Sequence, residues 1–275
     1  MFLGLEIKTW LGLSVLGAII STIGAIFGIL LKEYFLSRSL EKWRQKQNLE
    51  KIYEKFRDPL ILSGHELASR TLEIITHYPT VYLRRDVFNS NPKKQIKNSI
   101  DDPYFKRYKL ISTLYRMGSF LGWLELYRQE ITFLRSSNSK HTIQLERAVD
   151  RIRSDLADGQ LNQNEDWQLW KDTLVFREEL RAIGESLIES KGSTRTVIGY
   201  GRFCEHLDEN DSNNVKHWLS VLLNFYLDLD ENNKDFRKIR LERIFVHIID
   251  LLLLLDRNSI DQRLINEYEN RKPNI

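Results

Sequence analysis

The chain has 275 residues, of which 42% are hydrophobic and 29% charged, with 13 Gly and 5 Pro; this excludes collagen-like, low-complexity and wholly disordered proteins. Forty-one Lys and Arg against 38 Asp and Glu leave a formal net charge of +3, too small for a protein that coats a duplex by neutralising many phosphates, so nucleic acid is not an expected partner. The single cysteine, Cys204, excludes a disulfide framework and a Cys-rich metal site and fits a reducing compartment.

A tail over residues 1–9 leads into the strongest signal in the chain. Thr9 to Leu31 read TWLGLSVLGAIISTIGAIFGILL without a charge, and as a helix this stretch rises roughly 34 Å, enough for a hydrocarbon core of about 30 Å. A signal peptide would need a basic start and a small-residue cleavage site, whereas here Glu6 and Lys8 cancel and the run leads straight into Lys32. Residues 10–31 are therefore expected to be a transmembrane helix. Lys8 alone precedes it, while Lys32, Arg38, Lys42, Arg44 and Lys46 follow, so the positive-inside bias predicts the N-terminus outside and the rest in the cytoplasm, as in a bacterial inner membrane. Trp10 and Tyr34 are expected interfacial anchors. Within the span Ser14, Gly17, Ser21, Gly24 and Gly28 recur at steps of three and four, a stripe of small side chains that permits close helix approach and predicts a homo-oligomer.

From Lys32 to Arg57 eight basic residues stand against four acidic ones, a basic juxtamembrane helix whose five first cations are expected to meet lipid headgroups. Asp58-Pro59 then reads as a fresh helix start, a cap followed by Pro at the first position, and Leu60, Leu67, Leu72 and Ile75 keep a helical rhythm to about His77-Tyr78-Pro79. Residues 86–103 are turn-rich and read as a surface loop. After Asp102-Pro103 a long pattern through Leu134 predicts a helix, followed by a weaker one around Ile143, Val149, Ile152 and Leu156. Residues 158–165 break the chain; Asp166 to Ser190 is expected as a helix carrying Trp167, Trp170, Leu174, Leu180, Ile183 and Leu187, ended by Lys191-Gly192-Ser193. Three more helices are expected around Val197 to Leu207, Val215 to Leu229 and Asp235 to Leu255, before a polar tail over residues 258–275. The apolar run Ile244 to Leu255, interrupted by His247 and Asp250, has the length of a buried core helix and is no second span. Strand-type alternation is scarce, so residues 58–257 are expected to form one all-α domain.

The segments RDPLILSGHELASRTLEII, LGWLELYRQEITFL, ELRAIGESLI and VIGYGRFCEHL, in this order behind one N-terminal span, resemble a family of uncharacterised bacterial single-span membrane proteins with a helical cytoplasmic domain. The resemblance covers residues 10 to about 256 and implies that architecture, with no catalytic residue to carry over.

Chemistry is sparse. No phosphate-binding glycine loop, zinc-protease or nucleophile-elbow pattern occurs. An all-helical RNase of the HEPN type needs Arg and His separated by four to six residues, one to stabilise charge at a phosphate and one to move a proton; Arg70 with His77, Arg135 with His141 and Arg240 with His247 qualify by spacing. The residues after those arginines, Thr71, Ser136 and Leu241, are not the Asn, Asp or His usual in that family. Arg243, His247 and Asp250 share a helix face and read as a hydrogen-bonded structural network or the polar edge of the bundle. Glu205, His206, His65, His77 and His217 lack partners at ligand spacing, so no metal or cofactor is expected, and Cys204 reads as a small buried hydrophobe. The expected role is a membrane-anchored interaction or scaffold protein, self-associating through its span, with the bilayer and an unidentified cytoplasmic protein as partners. An oligomeric membrane-perturbing effector and an anchored RNase are the alternatives.

Overall fold

The computed structural model describes residues 7–76, 82–90, 92, 102–132, 140–158, 171, 174–192, 194–208, 214–229 and 235–272. Among the described residues the protein is all-α apart from one two-stranded hairpin. It divides into two compact units, residues 1–51 and 52–275.

The first unit holds α1 (Ile7–Leu30), a π-helical segment (Leu31–Leu36) and the opening turns of α2 (Ser37–Thr76). From residue 11 to 30 every side chain of α1 is exposed, Leu13 at 62% and Ile20 at 65%. Among the described residues this is one helix long and apolar enough to cross a membrane. A π-turn widens the backbone ladder from i−4 to i−5, and it falls where the apolar sequence gives way to Lys32 and Glu33.

In the second unit α2 does not restart at Asp58-Pro59; it runs unbroken through Pro59 to Thr76. A proline inside a helix costs about 3 kcal/mol through its missing N–H and ring clash. Phe56 and Leu60, one turn apart, are each 1% exposed, and burying two such side chains is worth roughly 1.5–3 kcal/mol apiece, so packing outweighs the proline. The ring of Phe56 meets Trp123 and Tyr127 edge-on, with centroids 6.4 and 6.0 Å apart. The expected loop contains α3 (Arg85–Asn89); residues 91 and 93–101 lie outside the described residues.

The central helix is α4 (Pro103–Thr132). Asp102 caps it, accepting the Tyr104 N–H at 3.1 Å, and Pro103 takes the first position, where no N–H is needed. Leu110, Leu114, Met117, Phe120, Leu124 and Leu126 are all buried, so α4 is enclosed on most of its circumference. It packs on α6 (Arg177–Ser186), while α5 (Lys140–Ala157) packs on α9 (Phe236–Leu255). The α4–α6 crossing is close because Gly184 has no side chain: a Cβ there would stand 2.7 Å from the Leu121 carbonyl oxygen.

Three sequence expectations change around α6. The helix expected from Asp166 starts at Arg177, where the Glu179 carboxylate accepts the Phe176 N–H at 2.8 Å; Trp167 and Trp170 lie outside the described residues. Before it, Val175 is tied to the end of α5 by its N–H, which donates to the Leu156 carbonyl at 3.0 Å. The helix also stops at Ser186, and residues expected to continue it form β1 (Ile188–Lys191), paired antiparallel with β2 (Thr194–Val197) in the register Ile188 to Val197 and Lys191 to Thr194. Gly192 is therefore the hairpin's left-handed turn residue, at φ 62°, and not a helix stop. Docking explains the strand: Val197 lies against Gly122 of α4, and the Tyr115 hydroxyl donates to the Ile198 carbonyl at 3.2 Å.

Next come α7 (Tyr200–Asp208) and α8 (Asn214–Tyr226). Asp235 caps α9, accepting the Arg237 N–H at 3.0 Å. The segment expected as a polar tail folds as α10 (Gln262–Arg271), capped by Asp261 and packed on α9 with Leu264 and Tyr268 buried. Two apolar side chains four residues apart are enough to seat a short polar helix.

Candidate functional site

On α1, an added methyl at Gly17, Gly24 or Gly28 would meet no atom within 4 Å. Ser21 is exposed. The Ser14 hydroxyl donates along its own helix to the Leu11 carbonyl at 2.9 Å, the usual way a hydroxyl is satisfied on an apolar helix. Beyond α1, Lys32, Arg38, Lys42, Arg44 and Lys46 are all exposed. Arg38 is also engaged locally: its guanidinium lies 4.3 Å from the centre of the Tyr34 ring and donates to the Tyr34 hydroxyl at 3.1 Å. The side chain of Trp10 lies outside the described residues.

In the second unit two arginines at the start of α9 reach the ends of other helices. Arg237 spreads over the end of α8, donating to the carbonyls of Phe225 (3.2 Å), Leu227 (2.6 Å) and Asp228 (3.0 Å), while Asp235 accepts from its Nε at 2.9 Å. One turn later Arg240, fully buried, does the same for the end of α5, donating to the carbonyls of Asp155 (2.6 Å) and Asp158 (3.0 Å). A cation at a helix C-terminus meets both the orphan carbonyls and the negative end of the dipole. Burial nonetheless pushes the Arg240 guanidinium down to about 10, against the pull of Asp155 and Asp158.

The trio on α9 divides between two neighbouring helices: the charges of Arg243 and His247 both act on Asp155 of α5, and Asp250 turns to α10. His247 Nδ1 sits 2.5 Å from Asp155 Oδ2 on α5, so the imidazole donates its Nδ1 proton when that carboxyl is ionised. Asp250 instead accepts the Tyr268 hydroxyl at 2.5 Å and lies 3.3 Å from Lys272, both at α10. Burial raises the Asp155 carboxyl above its usual range, and His247, Arg243 and Arg240 only partly offset this. Both networks are tertiary staples, α9 to α5 and α9 to α10.

As a nuclease pair, Arg240 and His247 present no cation to a phosphate, because the guanidinium is buried and spent on two carbonyls. Arg70 is likewise buried, held by the Lys109 carbonyl at 3.3 Å and Ser112 at 3.2 Å; His77, Arg135 and the side chain of His141 lie outside the described residues. Among the described residues no group of three His, Cys, Asp or Glu is placed to hold a metal. Cys204 is half-buried, and burial pushes its thiol up, away from the thiolate.

Sequence reasoning passed over Glu125, which is 1% exposed at the middle of α4. Its carboxylate accepts from both forks of Arg128 and from the Gln129 amide at 2.8 Å. A Glu flanked by Leu124 and Leu126 is the one available signal, a charge on an apolar face. Compared with models of protein families, with curated proteins and with solved structures, the chain has no match in any of the three.

Proposed function

We propose that the protein is a single-pass membrane-anchored helical scaffold, its N-terminus outside and its second unit in the cytoplasm, self-associating through α1. The observation that carries this reading is the complete exposure of the apolar side chains of α1, with Phe27 at 64% and Ile23 at 60%. Such a surface demands lipid or protein around it. The flanking cations support the orientation, and the open positions at Gly17, Gly24 and Gly28 support close approach of a second copy. The resemblance to single-span bacterial proteins agrees with the same architecture.

The test is the oligomeric mass of the detergent-solubilised full chain, beside the double variant Gly17→Leu, Gly24→Leu and a chain starting at Lys32. We expect the full chain in the membrane fraction as a defined oligomer, the double variant inserted but monomeric, and the shortened chain released from the bilayer. A full chain that extracts without detergent overturns anchoring; a monomer in all three forms overturns self-association. Proteolysis of the second unit from the cytoplasmic face only is the expected outcome of a topology assay.

A further inference from the structure

Between α4, α5 and α6 lies a cavity of about 420 Å³, within the roughly 300–1,000 Å³ range that small molecules occupy. Its floor is apolar, formed by Leu124, Tyr127, Ile131 and Val149, and its rim is charged, with Arg128, Arg153 and Arg181 contributed by three different helices. Two carboxylates also reach the rim, Glu146 and Asp150. Asp150 is already committed, with the Arg177 guanidinium 2.6 Å away.

The three arginines are unequally satisfied. Arg128 donates two bonds to Glu125. Arg153, 13% exposed, reaches the same carboxylate only at 4.0 Å. Burial holds its guanidinium below the ordinary range, and Arg181 and Arg128 push the same way, against the pull of Glu125 and Asp150. Arg181 is exposed, and no carboxylate among the described residues pairs with it. Glu125 is shared between Arg128 and Arg153, so a bound oxyanion would add acceptors for the paired N–H donors of Arg153 and Arg181. A phosphate suits such a rim, since its oxygens accept from two forks at once.

We infer that this cleft binds a small phosphomonoester, its phosphate held by Arg153 and Arg181 and its non-polar body lying on Tyr127, Ile131 and Val149. The inference does not depend on the anchoring reading. The phosphate arrives either on a soluble metabolite or on a lipid, and the experiment separates the two. Isothermal titration of the full chain in detergent uses three probes: adenosine monophosphate, monomeric dihexanoyl phosphatidic acid, and uncharged adenosine as control.

The expected result is saturable one-to-one binding of at least one phosphomonoester, none of adenosine, and an affinity lowered at least about tenfold by Arg181→Glu. Arg181 is exposed, so that variant keeps the melting temperature of the parent. Arg153→Lys, which keeps the charge and loses the fork, is expected to weaken binding as well. Binding of the nucleotide alone identifies a soluble ligand, and binding of the phosphatidic acid alone identifies a lipid headgroup. No saturable binding of either phosphomonoester overturns the proposal. So does equal binding by the parent and Arg181→Glu.

Discussion

Replacing Arg240 by Met tests whether the end of α5 is held by charge. The thioether fills most of the guanidinium's volume, so little cavity is created, but the carbonyls of Asp155 and Asp158 lose donors now at 2.6 and 3.0 Å. Hydrogen bonds from a charged donor are worth about 1.5–3 kcal/mol each. The burial that lowers the guanidinium to about 10 refunds part of that sum, because a neutral side chain need not be stripped of water. A net loss of about 3 kcal/mol is expected. For a folded unit of this size each kcal/mol moves the melting temperature by about 2–4 °C, so the transition should fall by roughly 6–12 °C. The assay is thermal unfolding of the full chain in detergent, followed by tryptophan fluorescence. Arg240→Lys, which keeps the charge but not both bonds, should lose about half as much. A methionine variant melting within about 2 °C of the parent, or above it, would refute the capping argument.

Gly184→Ala should destabilise by about 1–3 kcal/mol through overpacking, since the new Cβ meets backbone at 2.7 Å. Gly201→Ala, with open space around it, should instead stabilise by roughly 0.4–1 kcal/mol; denaturant midpoints of the pair measured together check both signs. At Gly192, whose φ is 62°, Ala should cost about 1–2 kcal/mol, read as faster hydrogen exchange in β1 and β2, and unchanged exchange there contradicts the turn assignment. The pH dependence around Asp155 follows from its raised carboxyl. The folded chain takes up this proton at a higher pH than the unfolded one, so the contribution is complete below the ordinary 3.8 and is lost as pH rises through the folded value. Asp155→Asn keeps an acceptor for His247 and should flatten the stability profile across that window; parallel profiles for the two proteins rule the mechanism out.

Helix positions were legible wherever the local code is strong. Asp102-Pro103 and Asp235 mark helix starts by supplying an acceptor for orphan N–H groups, and the structure uses both. The same code misled at Asp58-Pro59, because a cap and a proline signal a start only when nothing stronger holds the preceding turn, and here the buried Phe56 and Leu60 do. Leu180 and Ile183 mark the core face of α6, and Leu187 just beyond its end is buried with them, so their common spacing carried the expected helix past its true end. Thr194, Thr196 and Val197 are β-branched residues that serve a short strand as readily once α4 offers a surface. Of the charged residues, His247 and Asp250 share a face as their spacing requires, and still turn to different helices, His247 to Asp155 on α5 and Asp250 to Tyr268 on α10.

The sequence by itself determined that the stretch from Thr9 to Leu31 cannot fold into a core of its own. An uncharged apolar stretch of that length satisfies its backbone only as a helix in lipid or against protein, and that inference needs no tertiary contact. It also settled the helical class, since a 3.6-residue period recurs along most of the chain. Which side chains meet was decided by tertiary structure alone. Asp155 and His247 lie 92 positions apart, and Arg240 reaches the carbonyl of Asp155 across 85. Periodicity carries no information at that separation, because it reports which face of a helix is apolar and not which helix lies opposite. The packing of α4, α5, α6 and α9 sets those pairings, and with them the arginine-rimmed cleft.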